Sequence, residues 1–397
     1  MLHTHASSEQ NGCLAMQWRR TLKWSHAVAL LTGLLLGLQY RMQFSQQRES
    51  ATTIQGVRPR LLYMMPSYTM SQYLSLSKTV DSLVDICNAG WDVTVHLQVA
   101  NGLNDTTSSA YKELKNRMYC AKSNSLVPLV VEGYDQIGFG LNSRHRTYMR
   151  EHMNEFDYFA YAEEDMIFTI SHLNSYIDSM KVLKLTFPKT WTRYVVGFLR
   201  YEDSIEYNQR VTWEYSVDQV HLVRVSPTLP PYIVTNNLNQ AIFLFTKEHL
   251  RDLHEKCNYL TDFGGNLFFR ALRKALNSDW KRLPVGVSEW SSSFQHVLQC
   301  GVRRVIPTQN FQSFLIFHST NKARGRVDRR SHVSVSEWME LIKDRMQARI
   351  ISIEEAYNKI IFEQYNLHLL DKESLTNKWG TSRWYWGAEY ESPSLGR

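Results

Sequence analysis

Glu155-Phe-Asp-Tyr-Phe-Ala-Tyr-Ala-Glu-Glu-Asp-Met-Ile167 is the stretch on which the reading of this chain turns. Phe156 to Ala162 is aromatic and small, which suits a buried strand of a parallel sheet. Three acids come at its end, Glu163, Glu164 and Asp165, and apolar Met166, Ile167 and Phe168 stand directly after them. A solvated surface loop does not ordinarily hold carboxylates between two apolar blocks. In open α/β sheets, ligands bind outside the carboxyl ends of the strands. Carboxylates at that place suit a hard divalent cation, Mn²⁺ or Mg²⁺, which in turn takes phosphate oxygens. Side chains alternate along a strand, so Glu163 and Asp165 are expected on one side and Glu164 on the other. Glu163 and Asp165 are therefore the candidate metal ligands. The bland alternative is a trio of solvated turn or helix-capping acids.

The 397 residues suffice for one large α/β domain with tails or for two small domains. Hydrophobic residues make up 43%, an ordinary globular share, and the aromatics spread along the chain argue against long disorder. A formal net charge of +7 favours an anionic ligand. The basic residues are scattered, which speaks against a nucleic-acid partner. The cysteines are Cys13, Cys87, Cys120, Cys257 and Cys300, and no CxxC spacing occurs, so a structural zinc site is not expected. In an oxidising lumen the last four would form two bridges by one of three pairings. Otherwise Cys87 is a small buried residue on an apolar helical face.

Residues 1–24 form a polar tail ending in Arg19, Arg20 and Lys23. Residues 25–40 carry no Asp, Glu, Lys or Arg, and Trp24 and Tyr40 stand where interfacial aromatics belong. They are read as a short transmembrane anchor with a cytosolic N-terminus, suited to a thin early-secretory membrane. A cleaved signal peptide is the rival, but no small-x-small site follows Tyr40. Residues 41–58, rich in Gln, Ser, Thr and Arg, read as a stem.

From residue 59 to 325 strands and helices alternate. Strands are expected at 60–65 (ended by Pro66-Ser67), 92–99, 126–131, 156–162, 194–199, 239–246, 303–307 and 314–318, with a paired ribbon at 211–225. Helices are expected at 71–88, 110–121, 144–148, 171–186, 247–257 and 289–298. In the first of these Leu74, Leu76, Val80, Leu83, Val84 and Cys87 recur at approximately helical spacing, and Gly90 follows as a stop. The strand–helix–strand unit over 60–99 predicts a right-handed parallel crossover. Residues 326–397 form a C-terminal extension, with Trp338, Leu341, Met346, Ile350, Ile353, Tyr357 and Ile361 predicting an amphipathic helix. Asn104-Asp105-Thr106 is a glycosylation sequon in a polar loop. Gly138-x-Gly140 lacks the third glycine of a dinucleotide fingerprint.

An anchored chain of alternating strands and helices, with acids after a central aromatic strand, resembles a type II membrane-anchored glycosyltransferase of GT-A fold. The resemblance spans about residues 60–325. The acidic signature of that fold is called DxD, and Glu163-Glu164-Asp165 keeps acid–x–acid and the final Asp. Val196-Gly-Phe-Leu-Arg200-Tyr-Glu202, and Val305-Ile-Pro307 leading to His318-x-x-Asn321-Lys322, extend the resemblance. It implies an α/β, Rossmann-like, mixed but mostly parallel sheet flanked by helices. The implied activity is metal-assisted transfer of a sugar from a nucleotide-diphosphate sugar to a hydroxyl of a glycan, glycoprotein or glycolipid. The implied setting is the Golgi or endoplasmic reticulum membrane, with the catalytic domain lumenal.

GT-A enzymes often bring a late His to the metal and basic residues to the diphosphate. The resemblance therefore implies His318 as a third ligand of Mn²⁺ (or Mg²⁺), with Lys322 and Arg324 on the diphosphate and Arg144, His145 or Arg146 on the nucleotide. His318 and Asp165 lie far apart in sequence, but the functional ends of an α/β sheet share one edge. If the reaction inverts the anomeric centre, a carboxylate must take the acceptor proton. Glu289 is the first candidate and Asp262 the second.

A glycoside hydrolase would need two carboxylates flanking a bond at about 5–10 Å, unlike neighbouring acids at one strand end. A nucleotidyltransferase commonly has a Gly-rich, basic loop after its first strand, which Met64-Met-Pro-Ser-Tyr68 does not supply. The remaining alternative is a catalytically inactive, membrane-tethered GT-A-like protein that binds carbohydrate or acts as a scaffold.

Overall fold

The computed structural model describes residues 58–100, 102–134, 141, 144–204, 209–212, 220–235, 241–260, 295–298, 300–320, 333–334 and 350–360, with 336, 340 and 344. The expected anchor and stem lie outside the described residues. Among the described residues no helix is long and apolar enough to cross a membrane.

The architecture is mixed α/β and starts from β1 (Arg60–Ser67), in which every residue after Arg60 is buried. The chain crosses through α1 (Tyr73–Asn88) to β2 (Asp92–Val99), which pairs parallel with β1 from Arg60↔Asp92 to Ser67↔Val99. Leu76, Val80, Leu83, Val84 and Cys87 form the buried stripe of α1, and Gly90 takes up φ +103° just beyond it, a conformation open to glycine. Pro66 does not end the first strand as its type suggests. Pairing of β1 with β6 (Tyr158–Ala162) stops at Met64↔Tyr161, so on that side no ladder partner needs the N–H that Pro66 lacks.

After α2 (Ser109–Arg117) the chain makes a small hairpin, β3 (Tyr119–Cys120) and β4 (Ser125–Leu126), turning at Asn124 with φ +50°. Pro128 separates this hairpin from β5 (Leu129–Gly133), so the single strand expected at 126–131 is two pieces. The helix α3 (His145–Glu151) leads into β6. The first sheet runs β13-β6-β1-β2-β5, where β13 (Ile242–Thr246) lies antiparallel to β6 and the rest are parallel. Phe159, Ala160, Tyr161 and Ala162 are fully buried at its centre. Burial of a side chain as large as Phe159 contributes roughly 1.5–3 kcal/mol.

The second sheet, β16-β10-β9-β15-β7, is assembled from short strands: β7 (Met166–Ile167), β9 (Leu199–Ser204), β10 (Gln209–Thr212), β15 (Leu315–His318) and β16 (Val333–Ser334). The helix α4 (Ile170–Thr186) comes after β7 and buries Leu173, Tyr176, Met180 and Leu183. The third sheet, β17-β11-β12-β14-β8, contains β8 (Tyr194–Val196), β11 (Val220–Arg224), β12 (Tyr232–Thr235), β14 (Arg303–Pro307) and β17 (Ile351–Ser352). Two expectations change here. The strand expected at 194–199 breaks at Gly197-Phe198, because Gly197 N–H donates to Val305 O while Leu199 onward pairs with β15 in the other sheet. Among the described residues the ribbon expected at 211–225 does not pair with itself: β10 pairs with β9 and β16, and β11 with β12 and β17.

Two disulfides tie the ends of helices to later parts of the chain. Cys87 at the end of α1 bonds Cys120 in β3. Cys257 at the end of α5 (Lys247–Cys257) bonds Cys300, between α6 (Gln295–Leu298) and β14. Of the three pairings open to these four cysteines, this is the one adopted. In the C-terminal part Ser336, Glu340 and Asp344 are helical, Ile351–Ser352 is strand and not helix, and α7 (Ile353–Asn358) follows it. Tyr357 Oη donates to Arg304 O at 2.7 Å and fixes this part on β14.

Candidate metal centre

The acids sit in a tight turn. Met166 N–H donates to Glu163 O at 3.1 Å, so residues 163–165 leave the strand and re-enter structure as β7. Strand alternation therefore does not govern their side chains; the turn does. Glu163 is held through its own N–H, which donates to Ala241 O at 3.0 Å. Ala241 has φ +52°, a left-handed conformation that costs a non-glycine residue about 1 kcal/mol or more. From the other side the Thr79 hydroxyl of α1 donates to Glu164 O at 2.8 Å.

The turn delivers the chain to β15. β7 pairs antiparallel with β15, His318 opposite Met166, and Ser319 N–H donates to Asp165 O at 2.8 Å. On its other side β15 runs parallel to β9, with Phe317 opposite Tyr201, which sets His318 beside Glu202. Asp165, in the turn ahead of β7, and Glu202 on β9 thus flank His318 of β15. His318 reaches the acids by this pairing within the second sheet, and not because the ends of a single sheet share an edge.

His318 Nε2 lies 2.9 Å from Asp165 Oδ2, and its Nδ1 hydrogen-bonds the Glu202 carboxylate. The Thr320 hydroxyl donates to Asp165 Oδ2 at 2.7 Å and lies 3.3 Å from His318 Nε2. One ligand atom each of Glu163, Asp165 and His318 lies within 4.8 Å of the others. Asp165 and His318 are 1% exposed, Glu164 2% and Glu202 0%, whereas Glu163 is half-buried. The triplet is therefore no solvated turn. Burial alone would lower the His318 pKa, but the hydrogen bonds to Asp165 and Glu202 outweigh it and raise it to about 9. At neutral pH His318 is an imidazolium held between two buried carboxylates.

Two carboxylates and one imidazole, with one carboxylate only partly buried, make an oxygen-rich set with a single nitrogen that fits Mn²⁺. An ion would take the place of the proton on His318 Nε2, because the ligand form of imidazole is neutral.

The remaining sequence candidates fall in different surroundings. Arg144 is exposed and its guanidinium lies 5.4 Å from the Tyr134 ring centre. His145 and Arg146 are buried, His145 with its ring 4.2 Å from that of Tyr161 and Arg146 5.1 Å over the Tyr259 ring. Asp262, Glu289, Lys322 and Arg324 lie outside the described residues. Two residues of the site carried no assigned role in the sequence, Glu202 and Thr320. Glu202 closes the segment Val196–Glu202, yet its partner His318 lies 116 positions away and only the β9–β15 register joins them.

No family model matches the chain, and no curated protein matches it. Among solved structures the chain is similar to the apo-form glycosyltransferase GlyE of Streptococcus pneumoniae TIGR4, at 9% identity and a TM-score of 0.27. The match covers 79% of this chain and 64% of that one, so the chain spans less than two thirds of that protein's length. A likeness of this degree carries no argument about function.

Proposed function

We propose that the protein is a metal-assisted glycosyltransferase that moves a sugar from a nucleotide-diphosphate sugar to an acceptor hydroxyl. The observation that carries the proposal is the convergence of Glu163, Asp165 and His318 beyond the carboxyl end of strand β6. A divalent ion bound there, Mn²⁺ or Mg²⁺, would neutralise the charge growing on the leaving diphosphate. Glu163, the least buried of the three, is the ligand nearest to where donor phosphates would meet the ion. Asp165 and His318 hold it from the buried side, and the Thr320 hydroxyl fixes the orientation of Asp165. Lys322 and Arg324, soon after Thr320 in sequence, are proposed to meet the diphosphate, with Arg144 towards the nucleotide. Glu289, or failing it Asp262, is proposed as the base for an inverting transfer. A hydrolase reading is disfavoured, since Asp165 is buried and engaged by Thr320 and His318 and so is no accessible nucleophile itself.

The compartment belongs to the same proposal: a type II protein anchored by residues 25–40 in the Golgi or endoplasmic reticulum membrane, acting on a glycan, glycoprotein or glycolipid in the lumen. The disulfides Cys87–Cys120 and Cys257–Cys300 support it, because such bonds persist in oxidising compartments. So does the exposed position of Asn104 in its sequon.

The test is release of nucleoside diphosphate by the purified full chain, offered a panel of nucleotide sugars and hydroxyl acceptors with MnCl₂. Release with at least one donor, abolished by EDTA, is expected. No release from any donor, together with metal-independent carbohydrate binding, would favour the inactive tethered protein instead.

A further inference from the structure

We infer that Glu202 is a positioning residue of the metal centre, fixing the His318 ring so that Nε2 alone is offered to the ion. The inference rests on the metal-centre reading and adds to it a residue that does not itself belong to the ligand group.

Glu202 lies on β9, where Val211 of β10 is its cross-strand partner, and the continuing β15 register brings His318 to its other side. Its backbone is held from both sides, and its carboxylate is wholly buried. A carboxylate in that position carries a large desolvation cost unless something cationic or a hydrogen-bond donor meets it. His318 does so through Nδ1. An imidazole held at Nδ1 by a neighbouring strand cannot flip, so the nitrogen facing Asp165 is always Nε2, at 2.9 Å. The arrangement carboxylate–imidazole–ligand site is the kind of outer support that orients metal-binding histidines.

The buried Glu202 carboxylate also places a negative charge behind the imidazole, which favours a cation on its far side.

Glu202→Gln keeps the shape and a hydrogen-bond acceptor but removes the charge, and Glu202→Asp keeps the charge but withdraws it by one methylene. MnCl₂ is titrated calorimetrically into the full chain and both variants, and melting is followed with EDTA and with Mn²⁺. Glu202→Gln should raise the Kd for Mn²⁺ about 10–100-fold and shrink the Mn²⁺-induced rise in Tm. Glu202→Asp should recover part of the affinity. A residue that merely supports the fold would lower Tm equally with and without Mn²⁺ and leave Kd unchanged, and that result overturns the inference while the metal reading stands. Absence of saturable Mn²⁺ binding in the unmodified chain overturns both. If Glu202→Gln fails to melt cooperatively, Glu202→Asp decides alone: a weakened Kd supports the inference and an unchanged one overturns it.

Discussion

The sheet around β1 and the sheet around β9 are held together by different means. β1 shares eight aligned positions with β2 and four with β6, and it packs among buried apolar neighbours such as Val93, Val95, Leu97 and Phe159. β7 shares two positions with β15, and β15 three with β9. What joins this second sheet beyond its short ladders is polar: Asp165, His318, Glu202 and Thr320 bond to one another across the strands. The first sheet is a scaffold whose stability comes from burial. In the second, the residues that fix the local fold are also those that would hold the ion, so damage there should reach binding before it reaches the core.

Opening the scaffold's covalent ties should have the largest effect. Cys87–Cys120 and Cys257–Cys300 close loops of 33 and 43 residues, and loop-closure entropy gives each about 4 kcal/mol. Cys257→Ser with Cys300→Ser should therefore lower denaturant stability by about that amount. A loss under about 1 kcal/mol would show that the bridge contributes little there.

His318→Ala removes one ligand and leaves two buried carboxylates facing a gap. The Mn²⁺ concentration for half-maximal binding should rise about 10–100-fold, with excess metal restoring part of the signal. An unchanged half-saturation, with only a lowered Tm, would return His318 to a purely structural role.

Acid should act on the scaffold. Burial, with His152 nearby, lowers the His96 pKa to about 4, and burial lowers that of His249 to about 4. The 3.3 Å approach of Glu132 to His96 does not offset that burial. In the unfolded chain both titrate near 6.5. As pH falls from 6.5 towards 4, the unfolded state takes up protons that the folded state refuses, so stability declines. At pH 5 the loss is roughly 2 kcal/mol for each of the two. Their contribution is constant above pH 7, and denaturation curves at pH 7.5 and 5.0 that coincide would contradict this.

The smallest effect belongs to Glu164→Gln. Glu164 is buried but lies outside the ligand group, so Mn²⁺ affinity should change less than about threefold, or under 1 kcal/mol. A loss equal to that of Asp165→Asn would mean that the acids act as an undifferentiated cluster.

Legibility divided along the same line. β2 and α5 occupy 92–99 and 247–257, the bounds expected from the alternation along Asp92–Val99 and from the apolar strand that ends at Thr246. These signals are local. β7 is two residues long and has no period to read. The break at Gly197-Phe198 depends on Val305, and the separation of β10 from β11 depends on β9, β12, β16 and β17. Asp165 and Glu163 were legible because acids between apolar blocks are conspicuous, and His318 because the family resemblance placed a late histidine. Glu202 was not, because an acid at a strand end becomes a partner of His318 only through a register that sequence does not encode locally.

The central claim is that Glu163, Asp165 and His318 hold a divalent ion, and Asp165 is its most buried carboxylate ligand. Electron paramagnetic resonance of free Mn²⁺, titrated into the full chain and into Asp165→Asn, tests it directly. Saturable binding to the unmodified chain is expected, with a loss of at least about 100-fold in Asp165→Asn, the upper end of what supporting groups cost. Melting in EDTA should show both proteins folded. Equal Mn²⁺ binding by the two, or none by the unmodified chain, would contradict it.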